Sequence, residues 1–208
     1  DSDGFDFTVN LLLKSVLLGS HLAVPHMKAR GGGAIINTSS VSAMQAGAAP
    51  LVYSLCKKAV AHLSKLGASE LSKYNIRVNA VLPGLIGTHI FGKGFGLSNE
   101  ESQQVAELLA EHGGAMQPIG RIGQGADVAE MAAFLGSDAA AFLTGGEFVV
   151  DGGMTIGPPS SWQSEKPLEL IGAMMGYTPE QLEEKFQEAA ARARQAGDSK
   201  FTQDRRTA

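Results

Sequence analysis

The 208-residue chain predicts an α/β domain built on a parallel sheet. Three observations carry that prediction. Short apolar runs, such as Ala34-Ile35-Ile36 and Val78-Asn79-Ala80-Val81-Leu82, alternate with longer stretches of helical periodicity. Each run ends on turn residues, either a serine pair, Pro83-Gly84 or Asp151-Gly152-Gly153. The segments between runs are long enough to return a chain to the same end of a sheet, which parallel strands require.

Residues 5–29 read as a helix, because Phe7, Leu11, Val16, Leu18, Leu22 and Met27 fall mostly on one side. Pro25 is expected to kink or end it. Arg30-Gly31-Gly32-Gly33 is a turn, and residues 34–39 form a short strand. Residues 51–73 read as a second long helix. Residues 76–82 form a second strand, stopped by Pro83-Gly84. The glycine-rich stretch 84–98 reads as a loop or lid, followed by helices over 99–112 and 126–136. Glu147-Phe148-Val149-Val150 is a third strand, closed by Asp151-Gly152-Gly153.

Composition changes after about residue 154. Residues 1–156 are read as the domain, and 157–208 as a linker plus a helical tail. Gly157-Pro158-Pro159-Ser160-Ser161 is the linker. Thr178-Pro179-Glu180-Gln181 starts a helix, with Thr178 as cap, Pro179 in the first turn and Gln181 completing a capping box. Leu182, Phe186, Ala189, Ala190 and Ala193 form its weak apolar stripe, expected to dock on the domain or a neighbouring subunit, or to stay solvated.

A net charge of −4 does not suit a nucleic-acid surface. The single cysteine, Cys56, has no internal disulfide partner, which fits a reducing, cytoplasmic setting. Uninterrupted apolar runs are too short for a bilayer, so no membrane association is expected. Asp1-Ser2-Asp3-Gly4 lacks an initiator Met and the shape of a signal peptide, so the chain is expected to be a fragment or a processed piece.

Chemistry gathers at Tyr53-Ser54-Leu55-Cys56-Lys57, with Ser40 thirteen residues before the tyrosine. Residues four apart share a helix face. A free phenol, with a pKa of about 10, is a poor base at neutral pH, and a neighbouring cation lowers that value. Tyr53 is thus read as an acid/base, Lys57 as the group that lowers its pKa, and Ser40 as the hydroxyl that polarises a substrate oxygen. Such a site suits alcohol–carbonyl interconversion. No side chain carries hydride, so a nicotinamide cofactor is implied.

A Tyr-x-x-x-Lys spacing alone recurs by chance; its neighbours give it meaning. Asn-Thr-Ser-Ser at 37–40, Tyr53-x-x-x-Lys57, the run from Arg77-Val78-Asn79 through Pro83-Gly84-x-Ile86-x-Thr88, Gly120-Arg121-Ile122-Gly123, and the run from Leu143-Thr144-Gly145-Gly146 to Asp151-Gly152-Gly153 occur in one order. That series resembles the short-chain dehydrogenase/reductase family in its single-domain NAD(P)-dependent form, over roughly residues 5–155. The resemblance implies a three-layer, Rossmann-like parallel sheet, here its C-terminal portion. It implies Asn10, Ser40, Tyr53 and Lys57 as catalytic residues, with Asn10 holding a relay water. Tyr53, Lys57, Pro83, Gly84, Ile86 and Thr88 would bind the cofactor, the Ile86 backbone reading the carboxamide. The substrate would be a small secondary alcohol or ketone, and the two long helices would pair across a two-fold axis in a homodimer or homotetramer.

The glycine-rich strand–turn–helix unit that opens this family does not occur in the chain, so the adenosine-binding half is expected to be absent and NAD is not distinguished from NADP. The alternative is a truncated, catalytically inactive remnant acting as a binding or interaction protein. A sugar epimerase or dehydratase using the same Tyr–Lys chemistry fits less well, because the short Asp151-Gly152-Gly153 ending comes without a large substrate domain. Gly87-Thr88-His89-Ile90-Phe91-Gly92-Lys93-Gly94 nearly spells a phosphate loop, but Gly94 stands where Ser or Thr should meet Mg²⁺. It is read as a lid with glycine hinges, from which His89, Phe91 and Phe95, together with Met116, would touch substrate or simply pack. The five histidines show no metal-ligand spacing, and no metal is expected.

Overall fold

A computed structural model describes residues 2–94, 96–162 and 176–195. The chain divides into two compact units, Asp1–Ile156 and Gly157–Ala208.

The first unit opens with α1 (Ser2–Ala29), a continuous helix that loosens into a π-helical turn at Asn10–Lys14. Of the two expected outcomes at Pro25, a kink or an end, the end does not occur: Pro25 lies inside the helix. The missing Pro25 N–H forfeits one bond, to the His21 carbonyl. The last turn is nevertheless held, because Val24 and Met27 pack on the core and the Arg30 N–H returns to the His26 and Met27 carbonyls. By length and composition alone α1 is long and apolar enough to cross a membrane, which a count of uninterrupted apolar runs does not register. Gly31 and Gly32 then turn the chain at φ +83 and +147, where L side chains are strained. A Cβ on Gly32 would fall 2.6 Å from the Asn75 carbonyl oxygen.

The sheet has three parallel strands in the order β1 (Gly33–Thr38), β2 (Ile76–Pro83) and β3 (Glu147–Val150). Ile35 pairs with Val78, Thr38 with Val81, and Val81 with Phe148. Alternation along the strands serves two faces. On one face Ile35, Ile76 and Val78 pack with Ala68 and Leu71 of α2 (Leu51–Leu71) and with Val24 and Met27 of α1. On the other, Ile36, Val81 and Phe148 meet Val128, Met131 and Leu135 of α5 (Gly125–Gly136). This is a three-layer parallel α/β fold. α2 stops at Leu71 and tightens into the turn Ser72–Tyr74, where Asn75 takes a left-handed φ of 58°.

Between β2 and α5 lie α3 (Ile90–Gly94) and α4 (Asn99–His112). The stretch read as a bare loop therefore contains a short helix, which rests on α4 where Gly92 abuts Ser102; a Cβ on Gly92 would lie 2.5 Å from the Ser102 Cα. A Ser98–Glu101 capping box starts α4.

In the second unit Pro159–Ser161 forms a single 3₁₀ turn, and α6 spans Pro179–Gln195. Thr178 Oγ1 accepts from the Gln181 N–H at 3.3 Å, while Gln181 Oε1 accepts from the Thr178 N–H at 2.9 Å. The side chains of Leu182, Phe186, Ala190 and Ala193, four of the five stripe positions, lie outside the described residues.

Candidate active site

β1 ends at Thr38, and the two serines after it face different ways. Ser39 is buried, and its Oγ donates to the Lys57 carbonyl at 2.7 Å, fastening α2 to the strand end. Ser40 has extended backbone and caps the turn Val41–Ala43, its Oγ accepting the Ser42 N–H at 3.2 Å. The same Ser40 hydroxyl lies within side-chain hydrogen-bonding reach of the Tyr53 phenol.

Tyr53 and Lys57 sit one turn apart in α2, both half-buried. The Lys57 Nζ lies 5.5 Å from the Tyr53 ring centroid and donates to the Thr38 carbonyl at 3.0 Å. Ser40, Tyr53 and Lys57 thus gather at the carboxyl end of β1, where open parallel sheets bind ligands. Electrostatics depart from the sequence expectation. Burial pushes the Tyr53 phenol above its ordinary value, and the Ser40 hydrogen bond offsets part of that rise. Burial also pushes the Lys57 ammonium down, with the nearby Cys56 opposing. The expected lowering of the phenol by Lys57 is therefore absent from this environment, because desolvation dominates and the ammonium is directed at the Thr38 carbonyl.

Asn10 is the first residue of the π-helical turn, which packs against α2. Its carbonyl accepts the Ser15 N–H, and its exposed side chain makes no hydrogen bond among those of the described residues. An apolar cavity of about 440 Å³ lies between α1 and β1, with Leu12, Val16, Ile36, Thr38 and Lys57 among its walls.

Pro83 ends β2, and the Gly84 N–H donates to the Val150 carbonyl at 3.0 Å. Beyond it the chain forms a single parallel bridge, Ile86 to Gly123. The Gly123 N–H donates to the Leu85 carbonyl at 3.0 Å, and the Gly87 N–H to the Gly123 carbonyl at 2.8 Å. That pattern turns the N–H and C=O of Ile86 away from Gly123, and neither has a partner among the described hydrogen bonds. Thr88 follows, exposed, at the base of α3. Of the other lid positions, His89 Nε2 bonds Gln103 Oε1 at 2.7 Å, Phe91 is half-buried, Met116 is exposed, and Phe95 lies outside the described residues. Cys56 is a buried packing residue. Among the described residues no three His, Cys, Asp or Glu side chains come together.

A family model described as enoyl-(acyl carrier protein) reductase matches residues 1–155. A 7alpha-hydroxysteroid dehydrogenase of Bacteroides fragilis is 37% identical over 77% of this chain and 58% of its own length. A cyclohexanol dehydrogenase of an Acinetobacter strain is 36% identical over 74% of this chain and 55% of its own. The chain belongs to the short-chain dehydrogenase/reductase family. A solved Burkholderia xenovorans structure described as a short-chain dehydrogenase/reductase superimposes with a TM-score of 0.64 at 34% identity, covering 76% of this chain and 57% of that one. The chain spans little more than half the length of these relatives.

In this member of the family, several motif residues support the site in ways the sequence reading did not assign. Arg77 donates to the Leu135 and Ser137 carbonyls at 2.7 and 3.0 Å. Asn79, fully buried, donates to the Leu143 carbonyl and accepts the Gly146 N–H. Together they bind β2 to the approach of β3. Their signal was present as polar residues at alternate positions of an apolar strand. The Thr38 carbonyl, which receives Lys57, left no signal, since a backbone acceptor has no residue type.

Proposed function

We propose that the chain is the C-terminal, catalytic-residue-bearing part of an NAD(P)-dependent oxidoreductase that interconverts a small secondary alcohol and its ketone. The observation that carries this reading is the grouping of Ser40, Tyr53 and Lys57 at the end of β1. The dehydrogenase names of the relatives support the reaction class.

The residues present suit a nicotinamide cofactor. The unpaired Ile86 N–H and C=O offer a donor and an acceptor to a carboxamide, beside Pro83, Gly84 and Thr88. Lys57, which donates to the Thr38 carbonyl and lies beside the Tyr53 ring, would hydrogen-bond a ribose hydroxyl. When bound, such a cofactor accepts hydride from an alcohol carbon or gives it to a carbonyl carbon. Tyr53 takes the alcohol proton during oxidation and returns one to the carbonyl oxygen during reduction. Ser40 hydrogen-bonds that oxygen and favours the phenolate. Asn10, on the π turn beside α2, is assigned the water that relays protons towards Lys57. A positive charge beyond Lys57 is needed to bring the buried phenol towards neutral pH.

The exposed Leu11, Leu18 and Leu22 of α1 and Leu51, Leu55 and Leu66 of α2 support a homodimer or homotetramer through these helices. A Leu22→Glu, Leu55→Glu double variant would then sediment as a monomer, and an unchanged mass would exclude that surface. The alternative reading is a catalytically inactive remnant that acts as a binding or interaction protein. A panel of secondary alcohols and ketones, followed by nicotinamide absorbance, separates the two readings. Turnover that falls by a factor of about 10²–10⁴ in Tyr53→Phe supports the enzyme. Turnover unchanged in that variant refutes the role of Tyr53, and none on any substrate supports the remnant.

A further inference from the structure

The strand that carries Ile86 is not held by the main sheet. Among the described residues, Gly84 is the last whose backbone bonds β3, and the backbone bonds of Leu85 and Gly87 run to Gly123. A Cβ on Gly123 would fall 2.5 Å from Ile86 Cδ1 and 3.2 Å from the Leu85 carbonyl oxygen, so Gly123 is packed directly against the Ile86 side chain and the Leu85 backbone. Whatever fixes Gly123 therefore fixes the direction in which Ile86 presents its N–H and C=O.

Gly123 sits between two halves of one ion pair. Arg121 donates to Asp127 through both terminal nitrogens, each at 2.8 Å, a planar fork on a carboxylate. Its Nη1 also donates to the Ile122 carbonyl at 3.1 Å, curling the guanidinium over the residue before Gly123. Asp127 accepts the Gln124 N–H at 2.7 Å and so ties the residue after Gly123 to the first turn of α5. Gln117, itself buried, donates to the Arg121 carbonyl from below. Arg121 and Asp127 thus clamp Gly123 from both sides, and both remain partly exposed.

We infer that Arg121 and Asp127 are positioning residues for the cofactor, acting through Gly123 on Ile86. The inference rests on the reading of Ile86 as a carboxamide contact. The guanidinium holds the Asp127 carboxyl well below the usual carboxylate range.

The test compares Arg121→Met, Arg121→Lys and Asp127→Asn in the full chain by amide hydrogen exchange and by equilibrium binding of NADH and NADPH. In Arg121→Met the Gly87 and Gly123 amides are expected to exchange at least tenfold faster, while the β2 and β3 amides keep their protection. Nicotinamide binding should weaken by about tenfold, the scale of a small misplacement in a fixed site. Arg121→Lys, which keeps the charge but not the fork, should recover part of both effects, and Asp127→Asn should resemble Arg121→Met. If Gly87 and Gly123 stay protected, the clamp is refuted. If they exchange faster while binding is unchanged, the clamp holds Gly123 but Ile86 does not read the cofactor, and the positioning role is refuted with that reading.

Discussion

Replacing Gly84 by alanine probes the point where the ends of β2 and β3 lean on each other. An added Cβ would lie 2.5 Å from the Asp151 Cβ and 2.8 Å from its Cα, against an ordinary contact of 3.4–4 Å. The strand ends must part by roughly 1 Å, and neither side can yield by turning a side chain. Asp151 is held by its own bonds, accepting from the Gly153 and Thr155 N–H groups at 2.8 Å and the Thr155 hydroxyl at 2.7 Å. Gly84 is held by its 3.0 Å bond to Val150. Overpacking of this kind costs about 1–3 kcal/mol, which lowers the Tm of a chain of this size by roughly 2–12 °C. Thermal unfolding by circular dichroism measures it, with Gly125→Ala as control. Gly125, the first residue of α5, has open space around its would-be Cβ and should change Tm little or raise it. A Gly84→Ala Tm equal to that of Gly125→Ala would refute the claim that backbone contact requires glycine here. The same displacement carries Ile86 with it, so nicotinamide binding should weaken in Gly84→Ala and not in the control.

Two further outcomes follow from the site. Ser40 is the group that lowers the Tyr53 phenol against burial, so Ser40→Ala should raise the tyrosine ionisation that Tyr53→Phe removes, read by ultraviolet difference titration in the alkaline range; a downward move would contradict the assigned hydrogen bond. Ser64→Ala strips the Asn37 amide of its 2.9 Å buried acceptor, a loss of about 1–3 kcal/mol in denaturant unfolding, and an effect below about 0.5 kcal/mol would mean that Asn37 finds another partner.

The strands were legible because apolar runs ended on residues that cannot continue them, and the parallel order followed from the helices between them. α2 was legible to within a turn, since its apolar face repeats cleanly. Pro25 misled because the rule for proline weighs a lost hydrogen bond and not the packing of Val24 and Met27 that outweighs it. α3 was hidden by its two glycines, Gly92 and Gly94, and it is seated on α4 through Gly92 and Ser102. At the site, spacing brought Tyr53 and Lys57 to one face, but it could not register burial. Desolvation depends on what stands around a residue, and so the direction of the Tyr53 shift was not available from the sequence.

The glycines of the motifs carry a physical message that spacing alone does not. Gly84 lies where β2 meets the Asp151 turn, Gly123 where the α5 approach meets Ile86, and Gly92 where the lid meets α4. At Gly84 and Gly92 two backbones come within reach only because one lacks a side chain, and Gly123 packs against the Ile86 side chain and the Leu85 carbonyl. Backbone carbonyls also fasten the surroundings of the proposed chemistry: the Lys57 ammonium donates to the Thr38 carbonyl, and Ser39, beside Ser40, donates to the Lys57 carbonyl. The site is therefore a junction of three strand ends held backbone to backbone. Its side chains can vary in their surroundings while the donor and acceptor of Ile86 and the hydroxyl of Ser40 keep their directions. On that reasoning, changes of substrate preference should map to the exposed lid around His89 and Met116. Changes at Gly84, Gly92 and Gly123 should instead lower cofactor affinity and stability together.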